Sequence, residues 1–244
     1  MSEATPVAPA AERGFFDRLV GLYTSPAETF RSIVARPTAL VPLLILIVLM
    51  AGFFGLWVSK ADPVTFYRDQ MEQSSWAQRM TPEQKEAQIQ QQARFFPLTP
   101  VFVVVGGGVF YVLTALVYLG IFRFLYGADL RFKQSLAITL WTFLAVSLIS
   151  MPLMVLVLYL KGDWNLDPNQ VLQANLGIFL PATAPKWLTA LASSIDLFSI
   201  WTLILLAIGY GVASRRTLGG ALPGVMIPWV IYVVGKVALA ALFG

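Results

Sequence analysis

Apolar residues along this chain fall into five long blocks separated by polar connections. The blocks cover about residues 38–58, 98–125, 134–160, 187–213 and 222–243. Each is close to or above the ~20 residues that a helix needs to cross the hydrocarbon of a bilayer. The pattern predicts an all-α fold: a polytopic integral membrane protein with about five transmembrane helices. Trp57 closes the first block, as suits a membrane–water interface. Pro152 predicts a kink in the third block, and Pro228 lies inside the fifth.

Ahead of the first block the pattern changes. Residues 1–12 are rich in Ala and Pro without periodicity and are expected to form a disordered tail. They lack the charged region and apolar core of a secretory signal peptide. Residues 13–37 read as two short helices at the membrane surface. Phe15, Phe16, Leu19, Val20, Leu22 and Tyr23 recur at helical spacing, with Arg13, Asp17 and Arg18 on the other side. This N-terminal amphipathic segment is too polar to span. It either lies in the interface plane or packs on the protein's own spans. Ser25, Pro26 and Glu28 then supply an N-cap, a proline at the first helical position and an acid three residues after the cap. The helix they open carries Phe30, Ile33 and Val34 on one face and ends at Pro37. Residues 38–244 form the membrane domain.

Within that domain, Thr81-Pro82-Glu83-Gln84 is a second capping-box pattern and opens a Gln-rich helix reaching about Arg94. Its acids and bases balance, as expected of a solvated helix. Gly106-Gly107-Gly108 inside the second block permits either close helix packing or a local path for a solute. It is not a phosphate loop, since no strand precedes it and no lysine follows.

Composition narrows the chemistry. Of the 244 residues, 57% are hydrophobic and 12% charged, about half the charged share of soluble domains. There is no Cys and no His, which excludes disulfides, thiolate nucleophiles, Cys or His zinc sites, and histidine bases. With no GxxxxGK[ST] loop either, no cofactor, no metal and no enzymatic activity are expected. The net charge of +4 comes without a basic stripe interleaved with aromatics, so nucleic acid is not an expected partner.

Basic residues instead mark the orientation. Arg13, Arg18, Arg31 and Arg36 precede the first block. Arg123, Arg131 and Lys133 flank the second turn, and Arg215 and Arg216 the fourth, whereas the long third connection offers only Lys161 and Lys186. By the positive-inside tendency the N-terminus is cytoplasmic and the C-terminus outside.

Two ionisable residues fall within the blocks: Asp196 in the fourth and Lys236 in the fifth. An unpartnered charge at mid-bilayer costs about 2.5–3.5 kcal/mol on insertion scales. They lie roughly 25 and 21 Å from the cytoplasmic ends of neighbouring antiparallel blocks. One reading is an intramembrane charge pair. The others are separate snorkelling to the outer interface and proton or ion relay through Asp196.

Several segments together resemble the Yip domain family of Ypt/Rab-interacting membrane proteins, in its bacterial branch. They are Phe16-Asp17-Arg18-Leu19-Val20-Gly21-Leu22-Tyr23-Thr24-Ser25-Pro26 with Glu28-Thr29-Phe30, then Gly127 followed by Phe132-Lys133-Gln134-Ser135-Leu136. The third is Asp196-Leu197-Phe198-Ser199-Ile200-Trp201, followed by Ile208-Gly209 and Ser214-Arg215. The resemblance implies five spans, a cytoplasmic N-terminus and, for this branch, the bacterial inner membrane. It makes Asp196 part of a family motif in which Phe198 and Trp201 are read as packing residues. Eukaryotic relatives bind small prenylated GTPases, but their tyrosine- and glycine-containing signatures are not matched here, so GTPase binding is not carried over.

The function expected is that of a non-enzymatic membrane protein that organises partner proteins or lipids. Membrane lipids, other membrane proteins or further copies of the chain are its expected partners. The alternative is a transporter or channel component with Asp196 and Lys236 near a polar path. An intramembrane aspartyl protease needs two membrane aspartates, and only Asp196 is present. The orientation is directly testable in this cysteine-free chain. A Lys85→Cys variant should react with a membrane-impermeant maleimide from the outer side only, and labelling from the cytoplasmic side would reverse the topology.

Overall fold

A computed structural model describes residues 14–74, 77–181 and 183–243. The expected tail over residues 1–12 lies outside them. In chain order the helices are α1 (Phe15–Thr24), α2 (Pro26–Ala35), α3 (Leu40–Lys60), α4 (Pro63–Gln73) and α5 (Pro82–Phe95). They continue as α6 (Thr99–Phe124), α7 (Phe132–Lys161), α8 (Pro168–Val171), α9 (Lys186–Ser194), α10 (Leu197–Ser214) and α11 (Leu218–Phe243). Five are long and apolar enough to cross a membrane, and the described residues contain no strand. The first, second, third and fifth blocks each become one helix.

The bundle is arranged around α7. Over its first half, residues on almost every side are buried: Ala137, Ile138, Leu140, Trp141, Leu144 and Ala145 are all within 1% of full burial. A helix that is apolar all round buries itself when neighbours surround it, and α1, α2, α3, α6 and α10 all pack on α7. Pro152 lies within α7, which continues unbroken through it to Lys161.

Three polar side chains inside this core are tied to one another. The fully buried Tyr210 hydroxyl lies 2.6 Å from the Ser135 hydroxyl and 3.2 Å from that of Thr139. Ser135 Oγ in turn donates to the Ala115 carbonyl at 2.6 Å. Tyr210 stacks on Phe122 at 4.8 Å, Phe122 stacks on Tyr126 at 4.8 Å, and the Arg216 guanidinium lies over Tyr126. The network joins α6, α7 and α10 without leaving a buried hydroxyl of the set unpaired, the condition for placing polar groups in a dry core.

The N-terminal helices settle an open choice: they pack on the bundle and also keep an apolar outer edge. Phe30 of α2 is fully buried between α7 and α10, where Gly209 lets it approach. A Cβ on Gly209 would stand 2.5 Å from Ile138 Cγ2 and 3.1 Å from the Phe30 ring. On α1, Tyr23 donates to the Ala145 carbonyl at 2.7 Å, while Phe16 and Val20 stay exposed.

Arg18 departs from expectation. Helical spacing puts it on the polar side, yet it is only 6% exposed. Its guanidinium donates to the carbonyls of Arg36 (3.1 Å) and Ser32 (3.3 Å) and to Thr38 Oγ1 (3.1 Å). The Ser32 carbonyl also accepts the Arg36 N–H at 3.1 Å, and the group as a whole lies at the C-terminus of α2, where a cation is favoured. Burial, then the nearby Arg36, pulls its pKa down from the usual arginine value.

Ser25 occupies the N-cap of α2 and Pro26 its first position, with Glu28 in the first turn. Ser25 also closes α1, its N–H bonding to Gly21 O at 2.8 Å. That double duty holds its backbone at φ −147°, ψ 63°, and its side chain makes no capping hydrogen bond. At Thr81 the expected reciprocal box does form: Gln84 N–H donates to Thr81 Oγ1 at 3.3 Å, and Thr81 N–H to Gln84 Oε1 at 3.0 Å. The helix so opened joins α6 through a tight turn at Phe96–Leu98, making a helical run of 43 residues from Pro82 to Phe124.

At the end of the bundle away from α1 and α2, an aromatic cluster of Phe53, Trp57, Phe66 and Phe96 closes the structure. Trp57 Nε1–H donates to the Trp164 carbonyl at 2.8 Å. The Thr65 hydroxyl and Val64 N–H hold the Asp62 carboxyl, at the start of α4, below the usual carboxylate range.

Of the three central glycines, only Gly107 marks a close contact, against the Met50 side chain; Gly106 and Gly108 have open space. Gly209→Ala is therefore expected to destabilise the protein by about 1–3 kcal/mol, the usual scale of core overpacking. Gly106→Ala should be neutral. Thermal unfolding in detergent compares the two.

Candidate functional site at the interrupted fourth span

The fourth apolar block does not form one helix over 187–213. It breaks between Ser194 and Leu197, leaving a nine-residue α9 and an 18-residue α10. The residue types explain the place. Ser193 and Ser194 both bond back to the Ala190 carbonyl, at 3.1 and 2.7 Å, and Ile195 N–H closes a tight turn onto Ala192 O. Serine and aspartate side chains compete with helical bonding in this way.

Asp196 then restarts the helix. In an extended conformation (φ −119°, ψ 156°), its Oδ1 accepts from Phe198 N–H at 2.9 Å and Ser199 N–H at 3.0 Å. Its Oδ2 accepts from the Ser199 hydroxyl. Asp196 is thus an N-cap at the end of α10 rather than a residue within a continuous span. Its charge meets the positive end of the α10 dipole.

The preceding connection supplies partners for two more backbone groups of the break. Leu176 N–H donates to Ile195 O at 3.2 Å and Leu197 N–H to Ala174 O at 3.0 Å, an isolated antiparallel bridge between Asn175 and Asp196. The bridge places the polar connection against the interruption.

Lys236 approaches from α11. Its ammonium donates to Ser193 Oγ at 3.0 Å and Ser194 Oγ at 3.2 Å, at the negative C-terminal end of α9. Asp196 acts on this charge through space, but no direct ion pair joins the two. The carboxylate is committed to the α10 cap and the ammonium to the two hydroxyls. Their depths do agree: α10 places Asp196, and Leu218 to Lys236 places the ammonium, each about 27 Å from the turn between α10 and α11.

Phe198 is half-buried against the main core. Trp201 lies 5.8 Å from the Tyr23 ring, joining α10 to α1. Beside the break, α9 and α11 enclose an open groove of about 560 Å³ lined by apolar side chains including Trp187, Leu191, Val233 and Val237. Among the described residues no cluster of acids converges as a metal site.

The two serines that hold Lys236 were not singled out by the sequence reading, nor was the buried Arg18. For the serines a signal existed: Ser193-Ser194-Ile195-Asp196 is a stop-and-cap sequence inside an apolar block.

Fold and site together define a polytopic α-helical membrane protein with one interrupted span. The Yip1 domain family model matches residues 20–239, most of the chain, and the protein belongs to that family. No curated protein and no solved structure matches it.

The cap predicts a specific mutational pattern. Asp196→Ala should cost about 1 kcal/mol, and Asp196→Asn should recover most of it, because an amide oxygen also caps. Thermal unfolding in detergent reads this. Equal damage from both variants would mean that the charge, not the cap, carries the stability.

Proposed function

We propose that this chain is a non-enzymatic membrane protein that organises partner proteins or lipids through its N-terminal helix pair, residues 13–37. The observation that carries this reading is the ridge formed by Phe16 and Val20, 76% and 59% exposed on α1. Arg18, on the opposite side of the same helix, and Tyr23, about one turn past Val20, bind α1 to α2 and α7. An exposed apolar ridge on a firmly held helix suits insertion among lipid headgroups or contact with another membrane protein. By the distribution of basic residues the ridge faces the cytoplasm and the C-terminus lies outside, while the resemblance to the bacterial branch of the family supports a bacterial inner membrane.

The interrupted fourth span favours a second reading, a transporter or channel component, since broken helices line solute sites in many transporters. The apolar lining of the adjacent groove and the full engagement of Asp196 weigh against it. On the first reading, Asp196 and Lys236 are a charge pair acting at longer range through Ser193 and Ser194, holding α9, α10 and α11 in register.

The test combines Phe16→Ser with Val20→Ser. Cross-linked partners recovered from native membranes, or binding to anionic vesicles, should be lost while thermal unfolding in detergent stays unchanged. Retention of both associations would overturn the proposal. In the same vesicles, solute flux abolished by Asp196→Asn would establish the transporter reading instead.

A further inference from the structure

Two short turns at one end of the bundle concentrate positive charge. The turn from α6 to α7 and its flanks hold Arg123, Arg131 and Lys133, and the turn from α10 to α11 holds Arg215 and Arg216. The Arg216 guanidinium, 5.1 Å from the centre of the Tyr126 ring, brings the two turns together. Against these five cations stands one acid, Asp129. Among the described residues Arg123, Arg131, Lys133 and Arg215 are exposed, and none of them joins an ion pair.

Arg215 stands where the backbone favours glycine. It closes α10 in the left-handed conformation (φ 55°, ψ 38°), its N–H bonded to Val212 O and that of Arg216 to Gly211 O. The other left-handed positions among the described residues, after α6 and after α7, are Gly127 and Gly162. Strain kept for an exposed cation that no acid answers is of the kind found at binding positions. Between the cations, Phe124 is 88% exposed and Leu125 67%. The helices α6 and α7 have 26 and 30 residues, about 39 and 45 Å, against roughly 30 Å of hydrocarbon, so their joined ends reach the headgroup layer. Water there suits the guanidinium groups but not the two apolar side chains, and hydrocarbon suits the apolar pair but not the cations.

We infer that this corner binds the headgroup of an anionic phospholipid. Phosphodiester oxygens accept from guanidinium groups, whose fork matches a phosphate in bidentate geometry. The glycerol and upper acyl chain of the same molecule cover Phe124 and Leu125. A ligand with both parts answers both kinds of side chain. An inorganic anion leaves the apolar pair bare, and a lipid without net negative charge leaves the cations unbalanced. Each basic residue just beyond a span gains about fivefold in affinity from anionic headgroups. The inference is independent of the role proposed for α1.

The experiment titrates the full chain, purified in a neutral detergent, with phosphatidylglycerol or with phosphatidylcholine of the same acyl chains. Thermal unfolding and the mass of the intact protein with bound lipid are the readouts. Phosphatidylglycerol should raise the unfolding temperature and stay bound, whereas phosphatidylcholine and inorganic phosphate should do neither. Arg123→Gln with Arg131→Gln and Lys133→Gln should weaken phosphatidylglycerol binding about a hundredfold. Arg215→Gly should weaken it about fivefold while lipid-free stability stays equal or rises, since glycine takes the left-handed backbone without strain. Phe16→Ser with Val20→Ser should leave it unchanged, as should Lys161→Gln at the far end of α7. Equal binding of phosphatidylcholine, undiminished binding in the triple variant or an equal shift with inorganic phosphate overturns the inference. So does loss of binding in Lys161→Gln, which would mark a diffuse effect of charge, or no response to phosphatidylglycerol, which would leave the cations to an acidic protein.

Discussion

In hydrocarbon, every backbone N–H and C=O must find its partner inside the protein, and the architecture of this chain follows from how that requirement is met where a helix cannot meet it. The break in the fourth span exposes such groups at two helix ends. The Asp196 carboxylate takes the first N–H groups of α10, and the connection before α9 supplies backbone partners for Ile195 and Leu197. Lys236 answers the other end through Ser193 and Ser194. At the C-terminal end of α2 the Arg18 guanidinium plays a related part, donating to the Arg36 and Ser32 carbonyls.

Seen this way, charges near the bundle are held by helix termini more than by each other. A side-chain carboxylate at an N-terminus and an ammonium at a C-terminus each gain from the dipole without requiring close mutual contact. That arrangement keeps α9, α10 and α11 together while leaving the interior of the bundle to α7 and its uncharged Tyr210–Ser135–Thr139 network. The family to which the chain belongs is thereby represented by a frame in which polar side chains complete the backbone rather than line a cavity.

Hydropathy made the spans legible because transfer energy accumulates over twenty residues and does not depend on detail. The boundaries expected at 38–58 and 134–160 fall within two residues of α3 and α7. The same averaging hid the break at Ile195: three polar residues hardly lower the mean of an apolar block, yet they redirect its hydrogen bonds. Arg18 was hidden for a different reason. Helical spacing says which side of α1 it occupies, but not that α2 folds back to bring its carbonyls there. At Thr81 the capping pattern and the structure agree because nothing else claims those residues, whereas Ser25 serves two helices at once.

The loopless junction between α5 and α6 has a mechanical consequence. At 1.5 Å per residue, the 26 residues of α6 are about 39 Å long, and the turn at Phe96–Leu98 ties α5 directly to their end. Spans tilt to match the thickness of the bilayer around them. A change of one degree in the tilt of α6, pivoting at Phe124, carries its Thr99 end sideways by about 0.7 Å, and α5 with it. The helix is thus a pointer that turns bilayer thickness into lateral displacement beyond the membrane surface, and α4, packed against it, travels with the tip.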